Sequence, residues 1–112
     1  MPIHRRPVVL TDSAERDFTS ILAWTAKTFG SGQSRIYQAA LLAAIGELTG
    51  DADTAKTRGD IRDGLRERHM ARNRRRGRHV LFFEIRTDEI IVLRILHDRM
   101  DAARHISPEE PE

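Results

Sequence analysis

The sequence lacks cysteine altogether, and it has few aromatic residues and no long apolar run. With no cysteine among 112 residues, it can form no disulfide framework, no thiolate nucleophile and no cysteine-ligated metal site. Aromatic residues make up 5% of the chain, which leaves little material for stacking on nucleic-acid bases. Residues 1–20 contain no apolar core of a signal peptide, and no window approaches the length of a membrane span. We therefore expect a cytoplasmic protein.

The length of the chain allows one hydrophobic core. A chain of 112 residues is large enough to bury one core and too small for two. We expect a single domain over residues 1–106. The acidic, proline-rich segment at residues 107–112 is predicted to be a disordered tail.

The basic residues are concentrated in one segment, although the formal net charge is only +2. Residues 66–78 contain seven arginines and a single acidic residue, Glu67. Arginine binds phosphate through paired hydrogen bonds, so nucleic-acid contact is one interpretation of this cluster. A solvated turn is a second interpretation, and a surface for an acidic protein partner is a third. The arginines that best fit nucleic-acid contact are Arg74, Arg75, Arg76 and Arg78.

The first half of the chain predicts one strand and two helices. Residues 7–11 fit a short strand. A first helix begins with Asp12 as its N-cap and ends at the glycines of residues 30–32. A second helix begins near Ser34 and ends at Gly50. The short turn between the two helices predicts an antiparallel helical hairpin.

The second half predicts a loop followed by a meander of three strands. Residues 50–63 are polar and fit a loop, and residues 64–72 give a weak strand pattern. The two clearest strands are residues 79–86 and 90–96, which a tight hairpin joins. A short helix is predicted over residues 98–105.

This order of elements predicts an α+β domain. Its N-terminal strand and antiparallel helical hairpin pack on a small antiparallel β-sheet, and a short C-terminal helix follows. The first strand has to join the edge of the sheet after a long crossover.

The last predicted strand leads into charged and imidazole side chains at the rim of the sheet, where a rigid backbone can hold exposed groups. His97 and His105 together with Asp98 and Asp101 suggest a metal or an acid–base site, but their spacing matches no compact metal motif. Packing or capping of the terminal helix explains these histidines more simply. We expect no metal and no cofactor.

Two other features each allow two interpretations. His69 and His79 lie on adjacent predicted strands and could face each other as general bases, although alternation alone does not place them on one face. Trp24 lies off the main apolar stripe of the first helix. It could be an exposed hot spot for a partner, or it could pack on the second helix beside Tyr37.

Five sequence motifs follow one another in a characteristic order. The most specific is Arg94-Ile95-Leu96-His97-x-Arg99-Met100-Asp101-x-x-Arg104-His105. Four weaker motifs precede it: Leu10-Thr11-x-x-Ala14-x-x-Asp17, Thr28-Phe29-Gly30, Gly64-Leu65-Arg66 and Gly77-Arg78-His79. Between Val8 and Ile106 the chain resembles the ParE branch of the RelE/ParE toxin superfamily, and the resemblance implies the same fold of a helical hairpin on a small sheet.

The resemblance implies the toxin of a type II toxin–antitoxin pair. Toxins of the ParE branch inhibit DNA gyrase, block replication and are not themselves enzymes. A ParD-like antitoxin neutralises them within a hetero-oligomer. The toxin is therefore expected to contact DNA only indirectly, through gyrase or the antitoxin complex. The RelE branch instead cleaves mRNA on the ribosome. This chain offers no tyrosine near its end for that reaction, but His79 as a base and His105 as an acid leave the alternative open.

The resemblance and the exposed positions together give a set of expected contacts. Arg99 and Arg104 are expected to anchor the target, with Asp101 as their orienting partner. The full predicted target set is His97, Arg99, Met100, Asp101, Arg104 and His105. The cluster Arg74, Arg75, Arg76 and Arg78 would contact DNA held by gyrase. An amphipathic antitoxin helix would dock near Trp24 and Tyr37, as a helix in a groove, or an extended antitoxin segment would add to a free edge of the sheet.

Overall fold

The computed structural model describes residues 5–72 and 76–108, which form two helices and a five-stranded sheet. The elements are β1 (Val8–Leu10), α1 (Asp12–Phe29), α2 (Ser31–Asp51), β2 (Lys56–Thr57), β3 (Arg66–His69), β4 (His79–Ile85) and β5 (Ile90–His97), with 3-10 turns at Ala52–Thr54 and Ala102–Arg104. The predicted α+β fold is confirmed. Among the helices of the described residues, none has the length and apolar character to cross a membrane.

The strands lie in the order β1-β5-β4-β3-β2. β2 to β5 pair in antiparallel fashion, whereas β1 pairs with β5 in parallel at the edge of the sheet. The helical hairpin is the crossover that makes this parallel pairing possible. The edge position predicted for the first strand is therefore correct. The sequence does not predict β2, because two exposed residues within a polar segment give no strand pattern.

The helical hairpin differs from the prediction at its two ends. Thr11, and not Asp12, caps α1: its Oγ1 accepts a hydrogen bond from the Ala14 N–H at 3.1 Å. Asp12 instead lies in the first turn, where its carboxylate interacts favourably with the positive end of the helix dipole. One residue, Gly30, joins the two helices, so α2 begins three residues earlier than predicted. Gly30 has a φ of 98°, a conformation open to glycine, and this allows the abrupt reversal.

The sheet buries apolar side chains on both faces. One core lies beneath the helical hairpin and is centred on Leu41, Phe83 and Val92. The second core, on the opposite face, is covered by Leu65 and by the terminal residues Ala102 and Ile106. The C-terminal segment is thereby tied to the sheet, next to the end of β5.

A bulge in β5 changes which face its last residues occupy. Phe82 pairs with Arg94 and Phe83 with Val92, so Leu93 has no partner in the ladder. Val92 and Ile95 consequently belong to the same core, although residues three apart point to opposite faces in a regular strand. The shift places His97 directly opposite His79 in the β4–β5 pairing.

The predicted terminal helix over residues 98–105 is wrong. The segment is an irregular turn with one 3-10 turn, Ala102–Arg104. Asp101 caps this turn through a 3.2 Å hydrogen bond from the Ala103 N–H to its Oδ1. Eight residues are too few to stabilise an α-helix by themselves, and burial of Ala102 and Ile106 fixes the chain in this path instead.

Candidate functional site

The terminal surface, residues 97–105, presents polar and charged side chains on a firmly held backbone. Arg99, Asp101, Arg104 and His105 are exposed, Met100 is half-exposed, and His97 is partly buried. The structure places the predicted target residues on one continuous segment beside the end of β5. Their role as target contacts stays a prediction.

An ion pair beneath the terminal surface fixes its position. Arg94 donates from Nε and Nη2 to the two carboxylate oxygens of Asp17 at 2.7 and 2.9 Å, and this bonding raises the pKa of Arg94. Asp17 also accepts the Ile95 N–H at 2.9 Å, and Arg94 Nη1 donates to the His105 carbonyl at 3.0 Å. The pair thus connects α1, β5 and the terminal surface. In the sequence, both residues stand out only as parts of motifs.

Asp101 orients only one of its two predicted partners in the described structure. Its Oδ2 lies 3.5 Å from Arg104 Nε, and both side chains are exposed, so the attraction is weak. The backbone N–H of Arg99 donates instead to His97 Nδ1 at 3.1 Å. His97 rather than Asp101 therefore holds the turn that presents Arg99.

His79 lies in a partly buried cluster beneath the helical hairpin. Its Nδ1 is 2.6 Å from the Tyr37 hydroxyl, and its ring contacts that of His97 edge to face, with centroids 5.4 Å apart. The same hydroxyl accepts the Arg78 N–H at 3.1 Å and donates to Met70 Sδ at 3.1 Å. Burial, reinforced by the neighbouring His97, lowers the pKa of His79 to about 4. His79 is consequently neutral at physiological pH.

His69 does not form the base pair with His79 that the adjacent strands suggested. Its Nε2 lies 2.9 Å from Asp98 Oδ2, and this hydrogen bond lowers the pKa of Asp98. Arg78 Nε and His97 Nδ1 also approach the Asp98 carboxylate, at 3.3 and 3.4 Å. Asp98 therefore ties the start of the terminal surface to β3 and to the residue before β4. In the described ranges no three histidine or acidic side chains converge as metal ligands.

A groove of about 730 Å³ opens between the helical hairpin and the residues that lead into β4. Trp24 and Phe29 are 60% and 63% exposed and touch edge to face, and Ile36 is 66% exposed. Arg76 and Arg78 supply positive charge at the rim. This hairpin groove is lined by Trp24, Thr25, Phe29, Gln33, Ile36, Tyr37, Ala40, Arg76, Gly77, Arg78, His79 and His97.

Trp24 lines the groove, and its indole is exposed. Its role as a hot spot for a partner stays a prediction. Tyr37 lines the same groove, but its hydroxyl points inward to His79, so the two residues differ in accessibility. Of the basic cluster, Arg76 and Arg78 are at the rim, and Arg74 and Arg75 lie outside the described residues, as do residues 109–112 of the predicted tail.

Comparison with known proteins identifies the family. Residues 8–102 match the family described as "ParE toxin of type II toxin-antitoxin system, parDE". The chain belongs to the ParE toxin family. Of the target residues predicted above, Arg104 and His105 lie just beyond the matched part of this ParE-family toxin.

One solved structure supports the fold of this ParE-family toxin. It is described as "Chromosomal ParDE TA system from P. aeruginosa", and the alignment has a TM-score of 0.69 and 19% sequence identity. The match covers 84% of this chain and 97% of the other. At this identity the likeness establishes the fold alone. A search of curated proteins gives no significant match.

Proposed function

We infer that this ParE-family toxin binds DNA gyrase through the terminal surface, stabilises the cleaved gyrase–DNA complex and so blocks replication. The observation that carries the proposal is the terminal surface itself. It combines exposed Arg99 and Arg104 with a half-exposed Met100 on a backbone held by Asp17 and Arg94. Exposed arginines on a rigid frame are suited to binding because little order is lost when a partner docks.

The proposed action is binding and not catalysis. Arg76 and Arg78 line the groove, and Arg78 lies 3.3 Å from Asp98 at the start of the terminal surface. Both arginines would contact DNA held by gyrase. Arg74 and Arg75 are proposed to contact the same DNA because they directly precede Arg76 in the sequence. A charge-dependent contact of this kind weakens as salt concentration rises.

The antitoxin, a ParD-like protein, is proposed to occupy the hairpin groove. An amphipathic segment would place apolar side chains on Trp24, Phe29 and Ile36, and its acidic side chains near Arg76 and Arg78. Apolar lining with a charged rim is the arrangement that peptide-binding grooves use for a helical ligand. Gyrase and the antitoxin would then bind adjacent surfaces of the toxin.

The experiment that tests the target uses purified protein in two parallel assays. One follows supercoiling and DNA cleavage by gyrase, and the other follows cell-free translation. We expect accumulation of the cleaved complex while translation continues. The double variant Arg99→Glu/Arg104→Glu should lose this activity with nearly unchanged thermal stability, because both side chains are exposed.

A charge-matched control is available on the helices. Arg16→Glu/Arg35→Glu changes the net charge equally at two other exposed positions and should retain activity. Equal loss in both double variants would mean that overall charge, and not the terminal surface, determines gyrase inhibition.

Ribosome-dependent cleavage of mRNA is the second candidate, and one observation favours it. His79 and His105 line one small cavity, which brings the predicted base and the predicted acid together. Under this proposal the toxin arrests translation and leaves gyrase untouched, and His79→Ala abolishes the arrest. Translation unaffected by the wild-type protein would eliminate this candidate.

A further inference from the structure

The hairpin groove and the terminal surface have one residue, His97, in common. His97 lines the groove and is also the first residue of the terminal surface. Its ring contacts His79, whose ring in turn contacts Tyr37 of α2 with centroids 5.6 Å apart. Any side chain that enters the groove beside Tyr37 therefore meets the two histidines.

A small cavity lies on the other side of this histidine pair. It has a volume of about 160 Å³ and is lined by the two histidines together with Ser20, Ile21, Met100 and His105 among others. A cavity of this size and largely apolar lining can accept a ring-sized group. The His97 ring consequently has space to move away from the groove and toward the terminal surface.

We propose that the hairpin groove is a control site for the terminal surface. An apolar side chain of an acidic amphipathic segment enters the groove and displaces the His97 ring into the small cavity that Met100 and His105 line. The choice of an acidic segment follows from Arg76 and Arg78 at the rim. That this segment belongs to the antitoxin, and that the terminal surface binds the target, rests on the function proposed above.

The hydrogen bond from Arg99 to His97 transmits the movement. His97 Nδ1 accepts the Arg99 N–H at 3.1 Å, and the Met100 N–H donates to the His97 carbonyl at 2.9 Å. Displacement of the imidazole releases the Arg99 amide and changes the turn that carries Arg99 and Met100. Because coupling between two binding sites is reciprocal, a partner held on the terminal surface would also weaken binding in the groove.

The absence of cysteine makes it possible to fill the groove chemically. Gln33 and Gln38 are both exposed on α2, but only Gln33 lines the groove. In the full chain, Gln33→Cys is labelled with benzyl methanethiosulfonate, which attaches a benzyl group through a disulfide. Gln38→Cys with the same label is the matched control. Ile36→Cys, also at the groove, provides a second attachment point.

The readout is NMR of methionine methyl groups. Met70, which contacts the Tyr37 hydroxyl at 3.1 Å, reports on the groove side, and Met100 reports on the terminal surface. We expect the label at position 33 to shift both the Met100 methyl and the Arg99 amide resonances. The label at position 38 should shift neither, and reduction of the disulfide should restore the original spectrum.

The relay is tested by removing the shared ring. In Gln33→Cys/His97→Ala the label should still shift Met70 but leave Met100 unchanged. The decisive sample is the protein that retains His97. If labels at positions 33 and 36 shift its Met70 methyl resonance but leave the Met100 methyl and Arg99 amide resonances unchanged, the two surfaces are independent and the inference is wrong. Failure of either label to shift Met70 would equally overturn it, since no groove ligand would then reach the cluster.

A gyrase cleavage assay on the same samples separates this inference from the proposed function. If labelling shifts Met100 but the unlabelled protein never inhibits gyrase, the coupling stands and the target is wrong. If the unlabelled protein inhibits gyrase and labelling changes neither Met100 nor activity, the target stands and the coupling is wrong.

Discussion

Asp17 connects three parts of the molecule through its two carboxylate oxygens. It accepts hydrogen bonds from two guanidinium nitrogens of Arg94 and from the backbone N–H of Ile95. Arg94 also reaches the carbonyl of His105, so α1, β5 and the terminal surface meet at one ion pair. The side chains of Asp17 and Arg94 are only 15% and 26% exposed, and a change on either side leaves the other charge poorly solvated.

Asp17→Asn should lower the free energy of unfolding by about 1–3 kcal/mol, because a neutral amide cannot accept all three hydrogen bonds and leaves Arg94 unpaired. Urea unfolding followed by circular dichroism measures the change. Asp53→Asn, at an exposed position, is the control and should stay within about 0.5 kcal/mol of the wild type. Equal stability of the two variants would contradict the role given to Asp17.

His79 should make folding sensitive to pH below neutrality. Its pKa is about 4 in the folded protein against 6.5 ordinarily, so between these values the unfolded chain binds a proton that the folded chain does not. Stability is therefore fully present above about pH 6.5 and falls as the pH decreases toward 4. Thermal midpoints measured from pH 7 to pH 4.5 test this.

The matched variants are His79→Gln and His105→Gln. The first removes the partly buried imidazole and should flatten the decline in thermal midpoint between pH 7 and pH 4.5. The second removes an exposed imidazole and should leave the decline as it is. An unaltered slope in His79→Gln would show that other groups cause the acid sensitivity.

At the scale of elements, the sequence predicts what periodicity and apolar runs determine. β4 and β5 were predicted within about a residue because their runs of branched and aromatic side chains have no helical alternative. The pairing of His79 with His97 could not be predicted, because it depends on Leu93 leaving the ladder, and no local signal marks that bulge. The terminal helix was predicted wrongly since local propensity gave way to burial of Ala102 and Ile106.

The connection between the helices gives a test at the same scale. Gly30 has φ 98° and ψ 161°, a conformation essentially restricted to glycine, although a Cβ there would meet nothing within 4 Å. Gly30→Ala should therefore cost about 1–3 kcal/mol of folding free energy through backbone strain alone. Chemical unfolding provides the measurement.

Gly32→Ala is the internal control for Gly30→Ala. Gly32 lies in the first turn of α2 and also has open space around its Cβ position. Alanine should be neutral there or stabilising by up to about 1 kcal/mol, because it favours the helix over the unfolded chain. Similar effects at both positions would contradict the argument from backbone conformation.

At the scale of the whole molecule, the two proposed binding surfaces differ in character and lie next to each other. The hairpin groove is apolar with a positive rim, and the terminal surface is polar with one half-exposed methionine. The first is built mainly from helix positions, and the second from a turn tied down by an ion pair. Apart from His97, no residue belongs to both surfaces. Substitutions should therefore affect antitoxin binding and gyrase inhibition separately.

Trp24→Ala should weaken binding of the antitoxin at least about tenfold, as expected for a large aromatic contact at the centre of an interface. Stability should change little, since the indole is 60% exposed, and gyrase inhibition should persist. Isothermal calorimetry with the cognate antitoxin and the gyrase cleavage assay measure the two properties on the same sample. Leu42→Ala, which removes an exposed apolar side chain of α2 outside the groove, should leave both unchanged. If Trp24→Ala and Arg99→Glu/Arg104→Glu both lost antitoxin and gyrase binding together, the two partners would share one surface.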